Sequence, residues 1–327
     1  MMIINLFAGK DKYQAILKKG ILNHLDNYLD LSKKILFVID KNISKKYYQK
    51  FINGKLIYYF KASEENKSID VTMNIIKILS DNHFSRDDYI VSIGGGITSD
   101  VVGFVASIYK RGIKWISIPT TTLAMIDASV GGKTGVNYGN VKNMIGSFYF
   151  PEKVLIDINV LKTLDERNYN NGLCEALKMG ITLDESILDL MTDSHRNITK
   201  IIEKSLKAKN KIVKVDTKDH YARHVLNYGH TFGHALEMID ENILHGEAVL
   251  LGMTYVSSSK VKNIIKNYMH EFGVIDRSYD FEQLIPYLMQ DKKIEDEKLK
   301  LVIVTDILDY KIEVLDLNKL KSIYEGR

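Results

Sequence analysis

The 327-residue chain lacks much that would narrow its reading in other directions. It has one cysteine, Cys174, so no disulfide can form within it, which fits a reducing cytoplasm. It has only three prolines beside abundant lysine, isoleucine and asparagine, a compositional bias that carries no functional reading. No apolar run approaches the length needed to cross a bilayer, so no membrane partner is expected. The opening MMIINLFAGKDKYQ has no basic region leading into an apolar core, so no signal peptide is expected. Strong net charge is also missing. The 45 basic and 41 acidic residues leave +4, too little to argue for nucleic acid but compatible with a small anionic substrate. What remains, 45% hydrophobic and 26% charged, is the composition of a soluble globular protein with length for two domains. There is no internal repeat and no low-complexity tail.

What is present centres on histidine. Three of the nine, His230, His234 and His245, fall within sixteen residues of the stretch VLNYGHTFGHALEMIDENILHGE, residues 225–247. His230 and His234 are four apart and share one face of a helix, which Glu237 continues. His245 follows a short polar turn and opens a second helical run, HGEAVLLGMTYV. Two histidines on adjacent helices, with a carboxylate from elsewhere, would make a three-ligand divalent metal site with an open position. The spacing alone also fits a helix pair with polar cap residues. In GLCEALKMGI, Glu175 and Lys178 stand three apart on one helix face among small and apolar neighbours. A buried glutamate needs a partner, and a metal is one, so Glu175 is the candidate third ligand; a surface pair with Lys178 is the alternative.

Along the chain, an edge strand is predicted over residues 3–7, a helix over 14–25, and a buried strand over 33–40 ending in Asp40. A helix near 44–51, a strand over 55–60 and a helix over 68–79 follow. An acid that ends a parallel strand can meet a ribose hydroxyl or cap a helix, and Asp40 fits either. A strand over 89–93 runs into Gly94-Gly95-Gly96, then Thr98-Ser99-Asp100 and a helix. Such a glycine turn lets backbone approach a ligand and aims helix N–H groups at an anion, although it is not the GxGxxG fingerprint. A strand over 115–118 ends in Pro119-Thr120-Thr121-Thr122. Asp40, the glycines and the threonines would then share the carboxyl edge of a parallel sheet, where ligands gather. Residues 124–151, with Asp127, Lys133, Lys142 and Asn143, are expected as a long irregular stretch, either an anion pocket or ordinary surface lysines. After a strand over 154–158 and a boundary over 161–167 the pattern turns helical, with a small hairpin over 299–305 and 311–315. The basic run KSLKAKNKIVK, which holds Lys209, reads as a solvated helix face, and Arg223 and Asn227 lie four apart ahead of the histidines. The expected fold class is α/β: an N-terminal Rossmann-like parallel-sheet domain, 1–156, then a mainly α-helical metal-binding domain, 157–327, with substrate in the cleft.

Six motifs in collinear order carry a family resemblance: GGGITSDVVGFVASIYKRG, IPTTTLAMIDASVGGKTGVN, KNMIG, GLCEALKMGI, LNYGHTFGHALE and HGEAV. Together, over residues 40–293, the chain closely resembles the 3-dehydroquinate synthase family of the sugar-phosphate cyclase superfamily. The resemblance implies a carbon–oxygen lyase of the shikimate pathway, leading to chorismate and aromatic amino acids. The substrate would be 3-deoxy-D-arabino-heptulosonate 7-phosphate (DAHP). It would be oxidised transiently by NAD, lose phosphate, be reduced again, open its ring and close by an aldol step. It implies one divalent metal, zinc or alternatively cobalt, on Glu175, His230 and His245. NAD would meet Asp40, Glu64 and Lys67 on its adenosine side, Gly95, Gly96 and Asp100 near its phosphates, and Thr120, Thr121, Lys133, Lys142 and Thr163 elsewhere. Substrate would meet Asp127, Lys133, Asn143, Lys178, Lys209, Arg223, Asn227 and His234, with Lys292 or Lys293. Arg111 would reach a neighbouring subunit's site in a cytoplasmic homodimer. One departure is Ser99, where the family carries glycine; it implies a tighter approach to the pyrophosphate. A neutral sugar-phosphate cyclase and an NAD- and metal-dependent alcohol dehydrogenase are the alternatives.

Overall fold

The computed structural model describes residues 1–9, 11–139, 141–289 and 298–326. Lys292 and Lys293 lie outside the described residues. Contacts divide the chain into two compact units, Met1–Leu164 and Asp165–Arg327.

The first unit is built on one sheet. Its strands are β1 (Met2–Ala8), β2 (Asp11–Leu17), β3 (Ile35–Asp40), β4 (Leu56–Phe60), β5 (Tyr89–Gly94), β6 (Lys114–Pro119) and, after the hairpin below, β9 (Lys153–Ile156). The spatial order is β1-β2-β9-β6-β5-β3-β4, parallel throughout except for the antiparallel edge strand β1. Ile35–Ile39 and Tyr89–Gly94 are buried on both sides, which is why they read as unbroken apolar runs. Helix α1 (Ile69–Asp81) starts at Ser68, whose side chain accepts from Val71 N, and α2 (Gly96–Ile108) follows β5 directly. Because β4 pairs on one side of β3 while β5, β6 and β9 build out on the other, the strand order reverses between β3 and β5. In doubly wound sheets ligands bind at the carboxyl ends beside that switch point, and here it is framed by Asp40 and Gly94.

Four local expectations fail. Residues 14–25 are not a helix. Gly20 takes a left-handed φ of 74° and breaks the run, and Ala15, Ile16 and Leu17 are buried in β2 between β1 and β9. The helix near 44–51 is a single 3-10 turn, Lys45–Tyr47. The stretch 124–151 is not irregular: after a short π turn, Ala124–Ala128, it forms an antiparallel hairpin of β7 (Lys133–Tyr138) and β8 (Val141–Phe148). Helix α2 also begins one residue after Gly95, so Ser99 and Asp100 lie in its first turns instead of a loop before it.

The second unit is mainly helical: α3 (Glu166–Thr182), α4 (Ser186–Met191), α5 (Ser194–Val215), α6 (His230–Ile239), α7 (His245–Tyr255), α8 (Ser259–Phe272), α9 (Phe281–Leu288) and α10 (Leu317–Glu325), with a hairpin of β10 (Leu299–Asp306) and β11 (Asp309–Leu315). Every residue of α3 from Asn171 to Thr182 is buried. α6 and α7 cross closely because Gly252 has no side chain: a Cβ there would lie 2.0 Å from the Gly229 carbonyl oxygen. Among the described residues no helix is long and apolar enough to cross a membrane.

Candidate functional site

In the second unit, Glu175 comes from the buried face of α3, His230 from the first residue of α6 and His245 from the first residue of α7. His230 Nε2 and His245 Nε2 lie 3.7 and 3.6 Å from the same oxygen, Glu175 Oε1. Those gaps are too long for hydrogen bonds. They approach the separation of about 3.3 Å that ligand atoms show around a tetrahedral ion held at ~2.0–2.1 Å. Both Glu175 carboxylate oxygens are buried; Lys178 Nζ stands 2.5 Å from Oε2 as an ion pair, and Oε1 has no hydrogen-bond partner among the described residues. A buried carboxylate facing two imidazole nitrogens in this way fits a divalent cation.

The ring tautomers agree with that. His230 Nδ1 faces the Tyr228 carbonyl oxygen at 3.1 Å and donates to it, which turns the Nε2 lone pair toward Glu175. Burial, with the charges of Lys178, His234 and His245, holds His230 well below the usual histidine range, in the neutral ligand form. His245 Nδ1 lies 3.2 Å from Glu237 Oε2, so a second carboxylate orients this ring from behind. Burial opposes a proton on His245, but Glu175 and Glu237 outweigh it and raise the ring to about 10. Burial likewise raises Glu175, yet Lys178 and His245 bring it down to about 2. His234, exposed, edges against His230 with ring centroids 5.3 Å apart, and forms a second potential ligand group with Glu237 and His245.

Three cationic side chains in this unit are almost wholly buried: Lys178 at 2%, Lys209 at 5% and Arg223 at 3% exposure. Lys209 is thus not on a solvated face, contrary to the reading of its basic run. Lys178 Nζ also donates to Leu226 O at 2.7 Å. Arg223 sits in the 3-10 turn Ala222–Asn227, its side chain donating to Thr217 O and its backbone to Asp216. Asn227 Nδ2 is buried with no hydrogen-bond partner, a donor left for an incoming oxygen.

In the first unit, the carboxyl edge gathers most of the expected residues. Asp40 ends β3, half-buried, its Oδ1 accepting from Asn42 N. Glu64 and Lys67 follow β4, and Lys67 Nζ pairs with Asp100 Oδ2 of α2 at 2.6 Å. Gly95 is the N-cap of α2 and Gly96 its first residue; a Cβ on Gly95 would lie 3.1 Å from Thr121, so the two stand side by side. The buried Ser99 hydroxyl donates to Gly96 O within the helix. Thr120 bonds Gly94 O at the end of β6, and Asp127 lies in the π turn. Lys133 opens β7, and Lys142 and Asn143 stand exposed on β8. Thr163 is exposed in the 3-10 turn Ile158–Thr163 after β9. Arg111 does not join them. It precedes β6 at the amino edge of the sheet, exposed, in a surface cavity of about 470 Å³ with Arg86, Lys114 and Tyr149.

Several supporting residues leave no mark in the sequence. Asn171 Oδ1 accepts from Gly246 N at 2.6 Å, beside His245. Arg167 grips Glu247 with two bonds, 2.6 and 2.7 Å, while Glu247 Oε2 accepts from Leu244 N. Asp216 accepts backbone N–H bonds from His220, Tyr221 and Arg223. These partners are far apart in sequence or pair side chain with backbone, so spacing cannot reveal them.

Two family models match the chain: 3-dehydroquinate synthase N-terminal over residues 57–171 and 3-dehydroquinate synthase C-terminal over 172–294. The 3-dehydroquinate synthase of Picrophilus torridus is 40% identical over 97% of both chains. The chain belongs to the 3-dehydroquinate synthase family. Among solved structures, 2-deoxy-scyllo-inosose synthase, complexed with carbaglucose-6-phosphate, NAD+ and Co2+, matches all of both chains at 21% identity with a TM-score of 0.87. The 2-epi-5-epi-valiolone synthase of Streptomyces hygroscopicus subsp. jinggangensis, with NAD+ and Zn2+ bound, matches 97% of each at 22% identity and the same TM-score. At such identities they establish the fold: an α/β domain followed by a helical one, as in the sugar-phosphate cyclases.

Proposed function

We propose that this member of the 3-dehydroquinate synthase family converts DAHP to 3-dehydroquinate and inorganic phosphate. It would hold one divalent cation, zinc or cobalt, on Glu175, His230 and His245, and NAD along the carboxyl edge of the parallel sheet. The observation that carries this is the buried Glu175 carboxylate, whose Oε2 is paired with Lys178 while its Oε1 faces two imidazole nitrogens with no hydrogen bond among the described residues, in a chain that matches the family over nearly its whole length. The bound NAD+ with Co2+ or Zn2+ in the two related cyclases supports the cofactor pair. When bound, the pair supplies a hydride acceptor and a Lewis acid for the substrate hydroxyls.

The chain's own residues do the rest. Lys178, held by Leu226 O and Glu175, presents an ammonium beside the ligands and can hold or pass the proton of a substrate hydroxyl. Buried Lys209 and Arg223 are charge-assisted donors for a carboxylate or phosphate, and they favour DAHP over a neutral sugar phosphate. Asn227 Nδ2, without a hydrogen-bond partner among the described residues, and His234 are the expected contacts for substrate oxygens. The N-terminus of α2 at Gly95 and Gly96 suits the pyrophosphate of NAD, with Asp40 at the switch point for a ribose. A homodimer is part of the reading, with Arg111 exposed to a second copy, as is a cytoplasmic location.

The test follows phosphate and carbocycle together, with DAHP, zinc and catalytic NAD. Equal amounts of phosphate and 3-dehydroquinate, without NADH accumulating, are expected. Absence of phosphate release from protein that binds metal and NAD would overturn the assignment and point to a heptulose phosphate lacking the carboxylate.

A further inference from the structure

We infer that Asn137 is a positioning residue that ties Glu64 and Asn143 to one rigid point of β7, so that the nucleotide side and the substrate side of the first unit are set by a single amide. The inference rests on the reading of Glu64 as an NAD contact and Asn143 as a substrate contact. Asn137 stands where the β7–β8 register shifts, between Val136 and Tyr138. Val136 is fully buried in the hydrophobic core of the unit, together with Val102 and Trp115, so the backbone here is anchored from below. From that point Asn137 uses donor and acceptor at once. Its backbone N–H donates to Lys67 O at 2.8 Å. Its Nδ2 donates to Glu64 O at 3.1 Å and to Glu64 Oε2 at 2.9 Å. Its Oδ1 accepts from Asn143 N at 2.9 Å.

Each bond has a consequence for a residue already placed in the site. Glu64 is an exposed carboxylate on a loop, which would otherwise sample many rotamers. The Asn137 amide fixes one of its oxygens and leaves the other for a ligand hydroxyl. Asn143 holds a left-handed φ of 53°, a region that asparagine enters more readily than other side-chain-bearing residues but still at some cost. The bond from its N–H to Asn137 Oδ1 helps to hold it there. Lys67, whose carbonyl receives the Asn137 N–H, carries the ammonium that meets Asp100, so the same anchor reaches that ion pair as well. Only an amide of this length serves both sides. Aspartate keeps the acceptor for Asn143 but turns a second carboxylate on Glu64, and leucine offers neither bond.

The experiment compares Asn137→Asp, Asn137→Leu, Glu64→Ala, Glu64→Gln and the double variant N137D/E64Q, reading NAD affinity by direct titration and KM and kcat with DAHP. N137D is expected to weaken NAD about tenfold while moving the KM for DAHP far less, since the acceptor for Asn143 survives. E64Q on the N137D background is expected to restore NAD affinity, because the glutamine amide donates to the new carboxylate. N137L is expected to raise both the NAD dissociation constant and the KM about tenfold. If N137D/E64Q binds NAD no better than N137D, or if N137L lowers thermal stability while both ligand constants stay put, Asn137 is structural only and the inference falls. If Glu64→Ala leaves NAD affinity unchanged, the reading of Glu64 fails first and takes the inference with it. A weakened Glu64→Ala beside silent Asn137 variants sinks the inference alone.

Discussion

In the first unit, Asp40 and Asp100 are half-buried and Glu64 is exposed, and each charge is tethered to a strand end, a helix turn or a neighbouring amide. In the second, Glu175 and Lys178 are 1% and 2% exposed and meet each other on a buried helix face. The first arrangement costs the three acids less, because solvent still reaches them, although Lys67, which pairs with Asp100, is itself buried at 4% exposure. The second removes charges from water, which costs several kcal/mol per ion unless partners replace the solvent. A flexible dinucleotide can be held by many weak tethers. On the proposed function, polarising substrate hydroxyls needs fixed charges, and in the helical unit these rest on the buried Glu175 and Lys178.

The sharpest way to break this contrast is His230→Ala. Losing a ligand from the dry cluster is expected to abolish stoichiometric zinc and lower turnover on the order of 1,000-fold, checked by metal analysis and phosphate release. Full metal content with full turnover would remove the cluster from the chemistry. Next comes Lys178→Met. With its cation gone, the buried Glu175 should cost about 3–5 kcal/mol in chelated protein, and added zinc should recover part of it; denaturant titrations with and without chelator read the difference. An unchanged midpoint in chelator would mean that water reaches Glu175.

Asp216→Asn tests the tether beneath Arg223. Burial raises Asp216, but backbone N–H groups of Arg223, His220 and Tyr221 more than offset it and hold the carboxyl at about 2, against an ordinary 3.8. A depressed carboxylate adds stability that is complete above its unfolded value near 4 and is lost as pH falls toward 2. Wild type should therefore lose on the order of 2 kcal/mol over that window, which the variant does not lose, as seen in parallel denaturation series. Parallel pH profiles would refute the tether. The smallest effect is expected from Asp40→Asn in the first unit. NAD should weaken by about tenfold or less with stability changed by ~1 kcal/mol, since the carboxylate is half-buried and its turn bond to Asn42 survives. A larger loss would make the first unit depend on a single charge as the second does.

Legibility in the sequence follows the same division. β3, β5 and β6 are readable because strands buried on both faces are apolar runs closed by Asp40, Gly94 and Pro119. The candidate metal cluster is legible only in part: spacing puts histidines on two adjacent helices and Glu175 near Lys178, whereas the choice of His230 and His245 over His234 comes from the family resemblance. β2 reads wrongly as a helix because its partners, β1 and β9, are set by pairing along the chain and not by its own residues. The β7–β8 hairpin reads wrongly as irregular because glycine weakens any strand signal. Yet Gly135 and Gly146 are needed there: a Cβ on either would press into the facing carbonyl of the other strand, at 2.9 and 2.5 Å. The bonds of Glu237, Asn171, Asp216 and Asn137 join side chains to distant groups, and no local spacing encodes them.

The place of β2 also fixes an order of assembly. Leu17 pairs with Ile156, roughly 140 residues later, and Asp157 accepts the N–H groups of Gly20 and Leu22. Ribosomes add ~5–20 residues per second, so the amino-terminal hairpin waits on the order of 10 s for its neighbour to be made. β3, β4 and β5 can meet earlier, as their partners lie closer in the chain. Within this sheet the hairpin of β1 and β2 is therefore made early and docks late, when β9 arrives to join it to β6.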